Sequence, residues 1–141
     1  MNSVLIDSCV LLDLFTADHC WSDWSERILS EYSQNNTLLI NSIIYTEISI
    51  GFQYQEEVDE AITQMGIVVA EIPREALFLA GKTFLSYRRN KGTKYAPLPD
   101  FFIGSHASVA KLKLITRDAA KFKTYFPQID LILPNELEKR K

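Results

Sequence analysis

At 141 residues, 47% apolar and 23% charged, the chain has the size and make-up of one soluble globular domain over 1–141, able to bury about 70% of the surface its unfolded form exposes. That composition excludes a fibrous or disordered chain, no apolar run approaches the ~20 residues of a membrane span, and two cysteines are too few for a disulfide framework. The net charge of −3 excludes a uniformly basic nucleic-acid binder.

The opening MNSVLID lacks the basic and apolar features of a secretory leader, so a cytoplasmic product is expected. Its apolar run Val4–Ile6 reads as a strand that ends on Asp7. Helical patterns follow at Ser8–Phe15 and Trp21–Tyr32, with Asp13 expected on an exposed helix position and Cys9 and Cys20 expected as reduced, buried or half-buried thiols. A second strand, Leu38–Ile40, leads through the N-cap pair Asn41 and Ser42 into a helix over Ser42–Gln53 that carries Glu47 among isoleucines. A helix over Glu56–Met65, a strand over Ile67–Ile72 and a helix over Pro73–Arg89 come next, Pro73 fitting the first helical turn. Asn90–Pro99 is the one linker-like loop. Beyond it lie a helix over Asp100–Lys111, a strand over Leu112–Thr116, a turn of helix after Asp118 and a last strand over Ile129–Leu133.

Short Ile, Val and Leu runs without polar alternation suit strands buried on both faces. Alternation with helices then predicts an α/β fold, a three-layer α/β/α sandwich around a central, mainly parallel five-stranded sheet with right-handed crossovers. Charge is unevenly placed along it. Residues 1–87 carry 3 basic and 13 acidic side chains, whereas 88–123 carry 9 basic against Asp100 and Asp118. Such a bias suits either a polyanion at the C-terminal half or a solvated helix face.

Ligands of open parallel sheets bind beyond the carboxyl ends of the strands. Four acids fall there or early in the helices that follow: Asp7, Glu47, Asp100 and Asp118. Capping offers an alternative role for Asp7, Asp100 and Asp118. It does not serve Glu47, whose charge amid Ile43, Ile44, Ile48 and Ile50 is costly unless paired or bound to a cation. Four clustered carboxylates repel one another, and a hard divalent cation such as Mg²⁺ or Mn²⁺ relieves that conflict. It also equips the site for phosphodiester hydrolysis without a covalent intermediate. Neither a nucleophile elbow nor an HExxH or CxxC motif is present. From Asp100, Gly104 lies one turn along the same helix face and is expected to leave room beneath the carboxylate. His106, about 600° further round, falls roughly 120° off that face and is expected to pack or hydrogen-bond rather than ligate.

VLIDSCVLLDLF, SIIYTEISIGF, LPDFFIGSHASVAKLKLITRD and FKTYFPQIDLILP together resemble the PIN-domain family, specifically the VapC-type ribonuclease toxins of type II toxin–antitoxin pairs. PDFFIGSHA followed by LITRD carries most of the likeness. The resemblance implies a metal-dependent endoribonuclease whose acidic site is Asp7, Glu47, Asp100 and Asp118, holding one or two Mg²⁺ or Mn²⁺ ions. Ser8 and Thr116 stand where hydroxyls orient or join such a site, and Arg117 where phosphate is within reach. An antitoxin partner and a homodimer are also implied, with Phe15, Trp21 and Trp24 as the aromatic group offered to the antitoxin. Competing readings are a non-catalytic RNA-binding or scaffold member of the fold and a housekeeping PIN nuclease without an antitoxin. A phosphoacceptor receiver lacks its acid pair and late lysine here, and a haloacid-dehalogenase phosphatase lacks its DxD.

Overall fold

The computed structural model describes residues 2–93 and 98–135. At its centre is β1 (Asn2–Ile6), where Val4, Leu5 and Ile6 are all buried. It pairs in parallel with β2 (Asn36–Ile40) on one side and, in the order of the sheet, with β4 (Lys113–Ile115) on the other. β3 (Val68–Val69) adds outside β2, and β5 (Leu131–Ile132) outside β4, giving the order β3-β2-β1-β4-β5. Every pairing is parallel, so the expected α/β sandwich is adopted with a wholly parallel sheet.

Parallel neighbours need crossovers, and helices supply them. α1 (Ser8–Phe15) and α2 (Ser22–Ser33) join β1 to β2; α3 (Ser42–Ile48), a 3-10 turn at Ser49–Gly51 and α4 (Gln55–Gln64) join β2 to β3. α5 (Arg74–Arg89) and α6 (Pro99–Ala110) join β3 to β4, and the short α7 (Ala120–Lys123) joins β4 to β5. The chain moves outward from β1 through β2 to β3, then returns across β1 to β4. Strand order therefore reverses between β1 and β4, and a crevice at their carboxyl ends is where such a sheet binds ligands.

Three boundaries depart from expectation. The strands foreseen over Ile67–Ile72 and Ile129–Leu133 pair over two residues each, because each is an edge strand with a partner on one side only. The helix foreseen over Ser42–Gln53 stops at Ile48, tightens into the 3-10 turn and becomes extended at Phe52. Of the expected loop Asn90–Pro99, residues 94–97 lie outside the described residues.

The core joins the sheet to both helix layers: Ile44 and Ile48 of α3, Val10 and Leu11 of α1, Phe101 and Ile103 of α6, and Phe122 and Phe126 around α7 are all buried. α6 begins with Pro99 at its first turn and ends where Lys111 takes φ +55. A Cβ on Gly104 would run into the ring of Phe126. This corrects the expected role of Gly104, which makes room for an aromatic ring from the α7 segment rather than for the Asp100 carboxylate. Among the described residues no helix is long and apolar enough to cross a membrane.

Candidate active site

Asp7 follows the last residue of β1, and its backbone N–H donates to the carbonyl of Ile115 at the end of β4 (2.9 Å). Its side chain is wholly buried and accepts three hydrogen bonds. Oδ1 takes the Ser8 N–H (2.8 Å), and Oδ2 takes the Thr116 hydroxyl (2.8 Å) and the Cys9 thiol (3.4 Å). Asp7 thus caps α1, as the bland reading foresaw, and is also the centre of a polar network. A charge without solvent is tolerated only with such partners.

From Asp7 the network spreads in both directions. The Ser8 hydroxyl donates to Glu47 Oε1 (2.9 Å), tying α3 to the start of α1, while the Thr116 hydroxyl accepts from the Asp118 N–H (3.1 Å). Ser8 and Thr116 therefore orient carboxylates, one toward each flank. Asn41 accepts from two N–H groups of the first turn of α3, which fixes the start of the helix that carries Glu47 in its last turn. The same Asn41 meets His106 Nδ1 at 3.1 Å, and that buried imidazole, lowered in pKa by burial, packs and hydrogen-bonds away from the acids as expected.

Asp100 reaches the cluster from the first turn of α6. Burial raises its pKa most, Lys121 opposes the shift, and the charges of Asp7, Glu47 and Asp118 add to it. Each of the other three acids is thus within electrostatic reach of Asp100. Lys121 Nζ, on α7, stands 3.9 Å from Asp100 Oδ1. In the sequence Lys121 is only one of nine basic residues between 88 and 123, and nothing in that stretch singles it out. Cys9 was likewise unassigned, and burial followed by the charge of Asp7 pushes its thiol up to about 11.

Other expected positions are corrected. Asp13 is buried and accepts two bonds from Arg117, to Nε at 2.5 Å and Nη2 at 3.3 Å, instead of lying exposed. Arg117 also covers the Trp21 ring, 5.5 Å from its centroid, so its guanidinium has both an acid and an aromatic partner. Trp24 belongs to the core and packs edge-on to the half-buried Trp21, while Phe15 packs on Phe52. That leaves Trp21 and Phe15 as partly exposed members of the aromatic group. Cys20 is exposed, against expectation, and Cys9 half-buried as foreseen. No acid side chain caps α7, which follows Asp118 by way of Ala119.

Carboxylate oxygens are the donors a hard divalent cation takes. In their present rotamers, no three His, Cys, Asp or Glu side chains among the described residues are close enough to hold one ion. The donor set, four carboxylates at the end of β1, on α3 and α6 and in the turn after β4, fits such an ion by its chemistry.

Residues 4–126 match the PIN domain family. The chain is a PIN-domain protein. The PIN fold extends to solved structures at identities that establish fold alone. The chain is similar to VapBC2 from Rickettsia felis bound to a promoter DNA fragment, at TM-score 0.72 and 18% identity, covering 94% of this chain and 98% of that one. It is also similar to DNA-bound VapBC from Salmonella typhimurium (TM-score 0.68, 21% identity, 94% and 98% covered) and to VapBC-1 from nontypeable Haemophilus influenzae (0.68, 18%, 92% and 96%). No curated protein matches the sequence significantly.

Proposed function

We propose that this PIN protein is a divalent-metal-dependent endoribonuclease, the toxin of a toxin–antitoxin pair, folded as one domain over 1–141. What supports the reading is that Asp7, at the end of β1 beside β4, together with Glu47 and Asp118, bears electrostatically on Asp100, whose pKa is raised first by its buried setting and then by those three charges. Asp7, Glu47 and Asp100 would hold one or two Mg²⁺ or Mn²⁺ ions, with Asp118 serving directly or through water. When bound, such an ion supplies Lewis acidity, making water nucleophilic near neutral pH and offsetting charge on the scissile phosphate.

The chain's own residues do the rest. Thr116 and the Ser8 N–H hold Asp7 in one orientation, and the Ser8 hydroxyl aims Glu47. Arg117 acts structurally, by clamping Asp13 and α1 against the end of β4. A solved structure that shares the fold, from Klebsiella pneumoniae, is named a toxin–antitoxin complex, which supports an antitoxin as partner here. Phe15 and Trp21 are its candidate contacts, with Trp24 behind them in the core. A homodimer and a cytoplasmic location complete the proposal.

Purified protein, freed of any inhibitor, is expected to cut RNA with Mg²⁺ or Mn²⁺ and to stop in EDTA. Asp7→Asn and Asp100→Asn are each expected to lower the rate at least about a hundredfold while circular dichroism stays native. Full cleavage in EDTA, or by the Asp100→Asn variant, would sink the mechanism.

A further inference from the structure

We infer that Lys121 is the resident counter-cation of the acid cluster, a tethered charge that a divalent ion must displace from Asp100. The inference rests on the reading of the acids as metal ligands given above. Three observations carry it. Lys121 Nζ lies 3.9 Å from Asp100 Oδ1, and both side chains are mostly shielded, at 33% and 28% exposed. The charged groups that act on the ammonium are of one sign: after burial, which opposes its charge, Asp7, Asp100 and Asp118 favour it. Finally, the placement is built into the fold. Phe122, the next residue, is wholly buried, and Phe126 lies where only Gly104 allows it, one turn along α6 from Asp100. These two anchors fix α7 against the sheet and against α6, which leaves Lys121 on the side of α7 that faces the carboxylates.

A lysine in that position does for the metal-free protein what a cation does for the loaded one. It lowers the repulsion among Asp7, Asp100 and Asp118, so that the start of α1, α6 and the turn after β4 keep their approach without an ion. Its ammonium is a mobile point charge on a flexible stem, able to withdraw as a harder, doubly charged competitor arrives. Metal affinity is therefore set below what the bare carboxylates would give, and metal-free stability above it.

Calorimetric titration of the intact protein with Mn²⁺ alone tests this, beside thermal melting with and without the ion. Lys121→Gln is expected to lower the Mn²⁺ Kd roughly tenfold, equivalent to about 1.4 kcal/mol. The same variant is expected to melt earlier than wild type without metal and to gain more from Mn²⁺. Lys121→Met, which keeps the apolar stem, should repeat the result if the Gln variant folds poorly, and Lys121→Arg should keep the wild-type Kd. Lys123→Gln, an equal charge change at an exposed position of the same helix, should leave the Kd unmoved. An unchanged Kd in both neutral Lys121 variants overturns the inference, including the case in which those variants lose RNA affinity because the lysine meets phosphate. Equal tightening by Lys123→Gln overturns it as well. Wild type that takes up no Mn²⁺ removes the metal reading itself, a failure distinct from the others.

Discussion

At Asp100 and His106, burial acts on groups of opposite kind, and the two give opposite dependences on pH. Burial first, then the neighbouring acids against Lys121, hold Asp100 above its ordinary value of 3.8. The folded chain then binds more protons there than the unfolded chain does, so stability from this group is complete below 3.8 and is lost as pH rises through the raised value. For His106, burial lowers the pKa from 6.5, the folded chain binds fewer protons, and its stability is complete above 6.5 and lost as pH falls through the lowered value. Asp100→Asn is accordingly expected to raise the melting temperature of the metal-free protein near pH 7, with a gain that shrinks toward pH 4. His106→Gln is expected to flatten the loss of stability that wild type shows below pH 6.5. Melting curves from pH 4 to 8 read both, and a constant Asp100→Asn difference across that range would refute the assignment. Asp13 shows why single residues are hard to place from sequence. Its helix periodicity is satisfied by an exposed position, whereas the Arg117 that buries it lies 104 residues away. His106 was legible because its angle from Asp100 depends on one helix alone.

Gly104 couples two elements, α6 and the segment around α7, through the ring of Phe126. Gly104→Ala gains about 1 kcal/mol of helix propensity but drives a methyl into a buried ring, and such overpacking costs about 1–3 kcal/mol. A net loss of about 1 kcal/mol, read as a lower urea midpoint at constant slope, is expected. A midpoint equal to wild type would mean that the ring yields freely. The need for a small side chain at this position was readable from sequence, yet its neighbour was not, since Phe126 enters from beyond β4. Central strands were legible from their unbroken apolar runs, and α1, α2, α4, α5 and α6 from periodicity and flanking turn residues. Edge strands were overestimated because apolar runs there extend past the residues that pair, and at β3 even the paired Val68 and Val69 are exposed. The positions of Asp7 and Asp118 beyond strand ends and of Asp100 at a helix start were legible because spacing defines them, whereas Glu47, in the last turn of α3, stood out only by its apolar neighbours. Lys121 was not legible, because nothing in LITRDAAKFK says which way α7 turns its basic side chains.

Across the whole molecule, 9 of 15 basic side chains lie in residues 88–123, the same stretch that supplies Asp100 and Asp118. Polyanion binding through such a stretch displaces counterions, with a slope of about 0.7 per phosphate contact for single strands. Asp100→Asn, which should bind RNA without cutting it, is expected to show a log–log salt slope of at least about −2 in fluorescence anisotropy. A slope near zero would place recognition elsewhere. The acid crevice exists only where β1 meets β4, and the Thr116–Asp7 hydrogen bond that holds its centre spans 109 residues. Contacts this distant in sequence form late, since the chain must close a long loop first. During synthesis, at about 5–20 residues per second, Asp7 emerges many seconds before the residues that orient it. A growing chain therefore carries no assembled crevice, and if the proposed RNA cleavage is its activity, that activity begins only after the residues around Thr116 have left the ribosome.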